Sequence, residues 1–278
     1  MKTRNFIVML LFFQVLSVWS QNLERKIIIE NGMCYYTTID PEFQIATLYV
    51  VAFDKPMKTA KKYALPAGRN LSVPIIPFSW DVVGKDVFVV NFMNNALNNR
   101  RNAIKRIPMN TLNEWTEKIS ISDVVMKSTE VQPYAAFEPY SYITDRSNIL
   151  DHFFFDAVAT TDSSFCFAVS NNGELTIWNY ANEKWERGET INIKTDDFFS
   201  LFLYKKHAYL ATSEGKIYEI QNNTLLKPTE KSISKPLADG ILIINKMNGT
   251  ISFLDKTKLN EQKSMEEIMK DNSNPIFL

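Results

Sequence analysis

The sequence predicts an all-β chain assembled from repeated four-stranded antiparallel units, about five of them, with one or two short helices. Three observations carry this expectation. One phrase recurs in the second half: residues 170–178, 212–220 and 246–253 each join two short apolar runs through a polar turn ending near Gly173, Gly215 or Gly249. Gly and Asn tolerate the positive φ that twist-matched hairpin turns require, so each phrase reads as a β-hairpin. The three glycines lie about 42 and 34 residues apart, the period of stacked repeat units. Aromatic residues make up 13% of the 278 residues, a bias toward strands. Only eight glycines are present, so the turns must also rely on Asn and Asp.

The chain begins with Lys2 and Arg4, then an apolar run at 6–13 and a weaker apolar stretch ending in Ser20 and Gln21. A charged start, a short apolar core and small residues before a cut are the marks of a secretory signal over residues 1–21. The run is too short and too soon interrupted to be read as a membrane span, and no second run approaches that length. Residues 22–278 are therefore expected to form one exported, propeller-like domain, secreted or held in the periplasm or cell envelope. Removing the signal leaves 29 basic against 31 acidic residues, a formal charge of −2. Such a balance gives no general attraction for nucleic acid or anionic lipid.

The first hairpin is expected from Lys26 to Thr38 around the Asn31-Gly32 turn, followed by a strand over 44–53. Residues 60–66 read as an edge or loop that Pro66 closes. A second hairpin spans 75–92 around Gly84, Lys85 and Asp86; residues 94–101 form a polar loop before a strand at 103–107. Residues 111–118 suggest a helix with Asn110 as its N-cap, and 264–270 suggest another. From Phe153 the order becomes regular: strands near 153–159, 165–169, 174–179 and 191, then 198–204, 207–212, 215–221 and 224–227. A last unit follows at 241–245 and 250–254, with an uncertain first strand near Ser232. Four antiparallel strands in 35–50 residues are what a β-propeller blade needs, and a blade buries its faces only by stacking on others. Residues 274–278 are a candidate closing strand.

Residues 168–179, ending in Ile177, Trp178 and Asn179, resemble a WD40-type blade: a strand, a polar turn with Gly, a second strand and a closing Trp. Asn179 stands where those blades carry Asp, and no Gly-His pair lies upstream. The resemblance implies a propeller scaffold.

The chemistry-bearing residues are sparse. Cys34 and Cys166, the only cysteines, lie in apolar strands; they read either as separate buried thiols or as one disulfide, which export permits. Their separation gives no zinc-ligand spacing, and no metal site or cofactor is expected. His152 and His207 are the only histidines; no nucleophile elbow, phosphate loop or dinucleotide fingerprint accompanies them. Asp81, Asp156 and Asp197 sit on or beside candidate inner strands, where paired carboxylates could divide acid and base roles in a glycosidase. Trp80 could then stack on a sugar ring. Arg100, Arg101, Lys105 and Arg106 form the densest positive stretch, suited to an acidic partner or a glycan, and equally to a solvated strand edge. Sequons occur at Asn70, Asn222 and Asn248. The resulting expectation is a non-catalytic binding or assembly module that holds a protein or glycan partner on its loops or channel mouth. The alternative is a carbohydrate-active hydrolase with channel-facing carboxylates.

Overall fold

The computed structural model describes residues 26–39, 46–65, 68–70, 73–75, 79–91, 102–112, 114, 135–137, 154–159, 165–171, 174–181, 184–192, 199–212, 216–221, 224–225, 240–272 and 275–277. In chain order the strands are β1 (Lys26–Glu30), β2 (Met33–Ile39), β3 (Ala46–Ala52), β4 (Lys61–Ala64), β5 (Gly68–Asn70), β6 (Val73–Ile75), β7 (Ser79–Val83), β8 (Asp86–Asn91), β9 (Asn102–Pro108) and β10 (Ala135–Phe137). The second half adds β11 (Phe154–Ala159), β12 (Phe165–Asn171), β13 (Glu174–Ala181), β14 (Lys184–Asn192), β15 (Phe199–Tyr204), β16 (His207–Thr212), β17 (Ile217–Gln221), β18 (Thr224–Leu225), β19 (Gly240–Asn245), β20 (Thr250–Asp255) and β21 (Ile276–Phe277). Among the described residues one α-helix, α1 (Met265–Asn272), precedes β21.

Three sheets are four-stranded antiparallel units: β7 to β10, β11 to β14 and β15 to β18, each with its first strand at one edge. The first strands β7, β11 and β15 pack side by side. The fold is all-β and propeller-like.

The ends of the chain depart from five separate blades. The closing strand expected at 274–278 exists as β21, but it only pairs with the outer strand β20. Closure comes from β19, which pairs in parallel with β1, Lys26 opposite Leu242 through Ile29 opposite Asn245. First and last units thereby fuse into one seven-stranded sheet, in the order β21, β20, β19, β1, β2, β3, β4.

A parallel strand pair is stable when both faces are covered, and its strands then read as continuous apolar runs. Ile27, Ile28 and Ile29 and the whole of β19 are buried. Because side chains alternate across a strand, Ile28, Leu242 and Ile244 join one core with Trp80, Val82 and Val89 of the second unit and Phe202 and Tyr204 of the fourth. Ile27, Ile29, Ile241 and Ile243 face the other way, onto Met265 and Ile268 of α1 and onto Met57. Each such side chain contributes roughly 1.5–3 kcal/mol by burial.

The helix at 264–270 is present because Ser264 and Glu267 form a capping box: Ser264 N–H donates to Glu267 Oε2 at 2.9 Å and Glu267 N–H to Ser264 Oγ at 3.2 Å. The helix expected at 111–118 does not form over its described part. A single 3-10 turn covers Met109–Thr111, Leu112 is already extended, and Glu114 bridges to Tyr63. Asn110 lies inside that turn rather than capping it, and Pro108 precedes it without a side-chain cap. Among the described residues no helix is long and apolar enough to cross a membrane.

The hairpin turns follow their sequence signals. Asn31 and Gly32 take φ values of 52° and 73°, the pair of positive angles that a two-residue I′ turn needs. Lys205 and Lys206 do the same at 46° and 70° without either favoured residue. Gly249, at φ 72°, is constrained twice, since a Cβ there would lie 2.5 Å from the Tyr204 hydroxyl oxygen. Gly173 and Gly215 lie outside the described residues, although the register Asn171 opposite Glu174 shows the first of those hairpins.

Replacing Lys205 by Asn and Lys206 by Gly should raise stability by about 0.5–1 kcal/mol, because Asn and Gly adopt the left-handed region at lower cost than Lys. Gly249→Ala should cost at least about 1–2 kcal/mol from backbone strain alone, with the Tyr204 contact adding to it. Urea titrations of both variants at one pH test the pair.

Candidate functional site

The turns at the ends of β1, β7 and β19 meet around a buried ion cluster. Lys246 follows directly on the apolar strand β19, and its backbone N–H donates to Ile29 O at 2.8 Å. Its side chain is carried inward, leaving 7% exposed. The ammonium donates to Asp81 Oδ1 at 3.0 Å and to the carbonyl of Val82, and lies 3.7 Å from Glu30 Oε2. Asp81 is fully buried, and its Oδ1 also accepts from Val82 N–H at 2.8 Å. Glu30 Oε1 accepts from Gly84 N–H at 2.9 Å, and Asn31 Nδ2 donates to Gly84 O at 3.2 Å. One ammonium therefore serves two carboxylates from two different sheets.

The balance is imperfect. Asp81 Oδ2 and Glu30 Oε2 are buried without a hydrogen-bond donor. Burial pushes the Glu30 carboxyl above its usual range, and the nearby Asp81 charge adds to this; Lys246 and Gly84 N–H oppose it without prevailing. Cutting out one member of a buried pair strands a charge, whereas replacing both removes the problem.

A second feature lies on the α1 side of the seven-stranded sheet. A cleft of about 270 Å³ is floored by Ile27, Met57, Ile241 and Leu259, and Tyr36, Thr37, Thr38, Lys256, Asn260 and Glu261 complete its lining. The Tyr36 ring stacks on Tyr49 with centroids 4.7 Å apart and planes at 14°. Lys62 Nζ lies 5.5 Å from the Tyr49 ring centroid. Burial, with Tyr49 and Glu261 adding, pushes the Tyr36 phenol well up, so its hydroxyl stays a donor. The cleft thus offers an apolar floor, one aromatic ring, several neutral hydrogen-bonding groups and one charge of each sign.

The residues singled out from sequence fare unequally. Asp81 is brought to Lys246 and Glu30, away from solvent. Trp80 is 1% exposed and packed in the core, with Lys26 Nζ 5.4 Å from its ring centroid, so it presents no open face to a sugar. Asp156 stands on β11 opposite Ala168. Lys105 and Arg106 stand on β9 opposite Val89 and Phe88. Asp197, Arg100, Arg101 and His152 lie outside the described residues. His207 is exposed and its Nδ1 sits 2.9 Å from Glu219 Oε1, a surface pair. The disulfide is not formed: Cys34 is a free thiol, buried on the α1 face of the first sheet, with its pKa pushed up to about 12 by burial. Cys166 belongs to β12 in another sheet. Among the described residues no group of His, Cys, Asp or Glu is placed to hold a metal ion.

Sequence reasoning did not single out Lys246, Glu30, Tyr36 or Glu261. The available signal was a charged residue closing an apolar run before a turn: Glu30 after three isoleucines, and Lys246 separated by one residue from the run 241–244.

No protein-family model and no curated protein sequence matches the chain. Solved structures similar to it include an auxiliary nutrient binding protein from Bacteroides thetaiotaomicron, at 12% identity over 80% of this chain and 52% of that one, with a TM-score of 0.36. The β-propeller domain of Myceliophteria thermophila Cps50 (Swd1) is 9% identical over 84% and 62%, TM-score 0.37. The WD40 β-propeller domain of Doa1 is 9% identical over 82% and 74%, TM-score 0.37. The chain spans 52% to 64% of the length of the first solved structures it matches. At such TM-scores the propeller-like description rests on this chain's own sheets.

Lys246→Met should destabilise the protein by about 3–5 kcal/mol, and adding Asp81→Asn and Glu30→Gln should recover much of the loss. Urea denaturation reads both, and a single-variant loss below about 1 kcal/mol would contradict the role given to the cluster. Glu30 also fixes a pH slope. Its folded pKa lies above its unfolded one, so the folded state holds the proton more tightly and stability falls as pH rises from about 4.5 through the folded value. Thermal melts should show this rise in stability toward mild acid, and Glu30→Gln should remove that component.

Proposed function

We propose that the protein is an exported binding module without catalysis, which takes a small amphiphilic ligand, or one group of a larger protein or glycan partner, in the cleft beside α1. The observation that carries this reading is the cleft's lining: an apolar floor with Tyr36, Thr37, Thr38, Asn260 and Glu261 around it. Clefts of this make-up bind by burying an apolar part and orienting it through a few polar groups. At about 270 Å³ the space suits a single ring or side chain rather than an extended oligomer. Asp81, the one sequence-predicted carboxylate whose side-chain setting is described, is buried against Lys246 and has no route to a ligand, which weighs against the hydrolase.

The test combines capture and blockade. Purified protein is passed over a glycan array and used to capture partners, and each hit is then titrated. Thr38→Arg, which fills the cleft from its rim, should weaken a true hit at least about tenfold, or 1.4 kcal/mol, with the melting temperature held. Turnover of any glycan in the panel that Glu261→Gln abolishes would overturn the non-catalytic reading.

A further inference from the structure

Among the described residues, β1, β7, β15 and β19 end at the same pole of the molecule. β1 and β19 run parallel, so Glu30 and Asn245 finish side by side. Gly84, just past β7, bonds to Glu30 and Asn31. Gly32 N–H contacts Met247 Sδ at 3.2 Å, and the Tyr204 hydroxyl, at the end of β15, lies against Gly249. Four turns are thereby locked into one surface, anchored from beneath by the Lys246 cluster.

That surface has a distinct composition. Lys85, Lys205 and Lys206 are exposed on it; among the described residues none of the three pairs with a carboxylate, and Lys205 Nζ lies 5.0 Å from the Tyr204 ring centroid. Met247 projects between the turns at 48% exposed, the one large hydrophobic side chain so exposed among the described residues. Among the described residues the carboxylates around it are engaged or withdrawn: Glu30 and Asp81 face Lys246 inside, Glu219 pairs with His207, and Asp86 is partly buried. Lys205 and Lys206 hold left-handed backbone angles that Asn-Gly would adopt without strain. Residues kept in strained conformations point to a use beyond folding.

From this we infer that the pole docks on an anionic bilayer surface, with Met247 entering the interface and Lys85, Lys205 and Lys206 meeting lipid phosphates. A soluble polyanion would engage the lysines and give nothing to Met247. A bilayer interface accepts the thioether, and the lysine stems can lie along it with their ammonium groups in the headgroup layer. The balanced net charge does not oppose this, because juxtamembrane attraction is local and decays within a Debye length. Such binding is peripheral and independent of the cleft.

The experiment is co-sedimentation of the purified protein with vesicles of equal parts phosphatidylcholine and phosphatidylglycerol, against pure phosphatidylcholine. Binding is expected only to the former and should weaken as salt is raised. Each lysine contributes about 1 kcal/mol near such a surface, so Lys85→Gln should lower partitioning about fivefold. The double variant Lys205→Asn with Lys206→Gly should lower it about twentyfold or more while improving the turn, which separates lost binding from lost folding. Met247→Ser should weaken binding at unchanged charge. Equal binding to both vesicles, no binding, or capture by a soluble sulfated polysaccharide that Met247→Ser leaves unaltered would each overturn the inference.

Discussion

The parallel ladder between β1 and β19 is the constraint on which the remaining structure depends. It joins the first described strand to the last unit, and it makes one sheet of what would otherwise be two blades with exposed inner edges. An unpaired apolar strand edge is a liability that folds must cover or close. Here closure is achieved by hydrogen bonding, and both faces of the joint are then sealed, by the second and fourth units on one side and by α1 and Met57 on the other. The cleft is left on that second side, between the sheet, Met57 and residues 256–261. The location of the candidate ligand site is thus a by-product of how the chain ends are joined.

The same ladder dictates the position of the ion cluster. Parallel strands end together, so the turns following β1 and β19 are neighbours, and the second unit's Gly84 turn reaches both. Lys246 acts there as an internal counter-ion. Its attraction to Asp81 and Glu30 is set against the cost of desolvating three charges, and the two orphaned carboxylate oxygens show that the cost is not fully offset. Such clusters specify how units sit against one another more than they add stability. The cluster ties the β1–β19 ladder to β7, which shares no sheet hydrogen bonds with either strand.

Hairpins were legible in the sequence wherever turn chemistry is local. Asn31-Gly32, Gly84 and the Ser264-Glu267 cap each act within four residues, and each appears where its residues predict. The seven-stranded sheet was not legible, because nothing in Lys26–Glu30 or Gly240–Asn245 distinguishes a parallel partner from an antiparallel one. The unbroken apolar runs at 27–29 and 241–244 were the trace, since a strand buried on both faces loses the alternation expected of a blade edge. The helix expected at 111–118 is absent over its described part through tertiary context: Glu114 bridges to Tyr63 of β4, and an extended Leu112 precedes it. Asp81 was found, but its neighbours were not. A lysine in a polar turn looks solvated in one dimension, and only the convergence of strand ends turns it inward.

The closure has a kinetic consequence. Lys26 and Leu242 are neighbours in space but more than two hundred residues apart along the chain, so the ladder cannot form until nearly the whole polypeptide is available. Contacts of such long sequence separation carry a large loop-closure entropy and slow the final step of folding. During that interval Ile27, Ile28 and Ile29 present a bare, β-prone edge that any similar strand could pair with. A chain cut short before β19 would keep this edge permanently and would be prone to self-association.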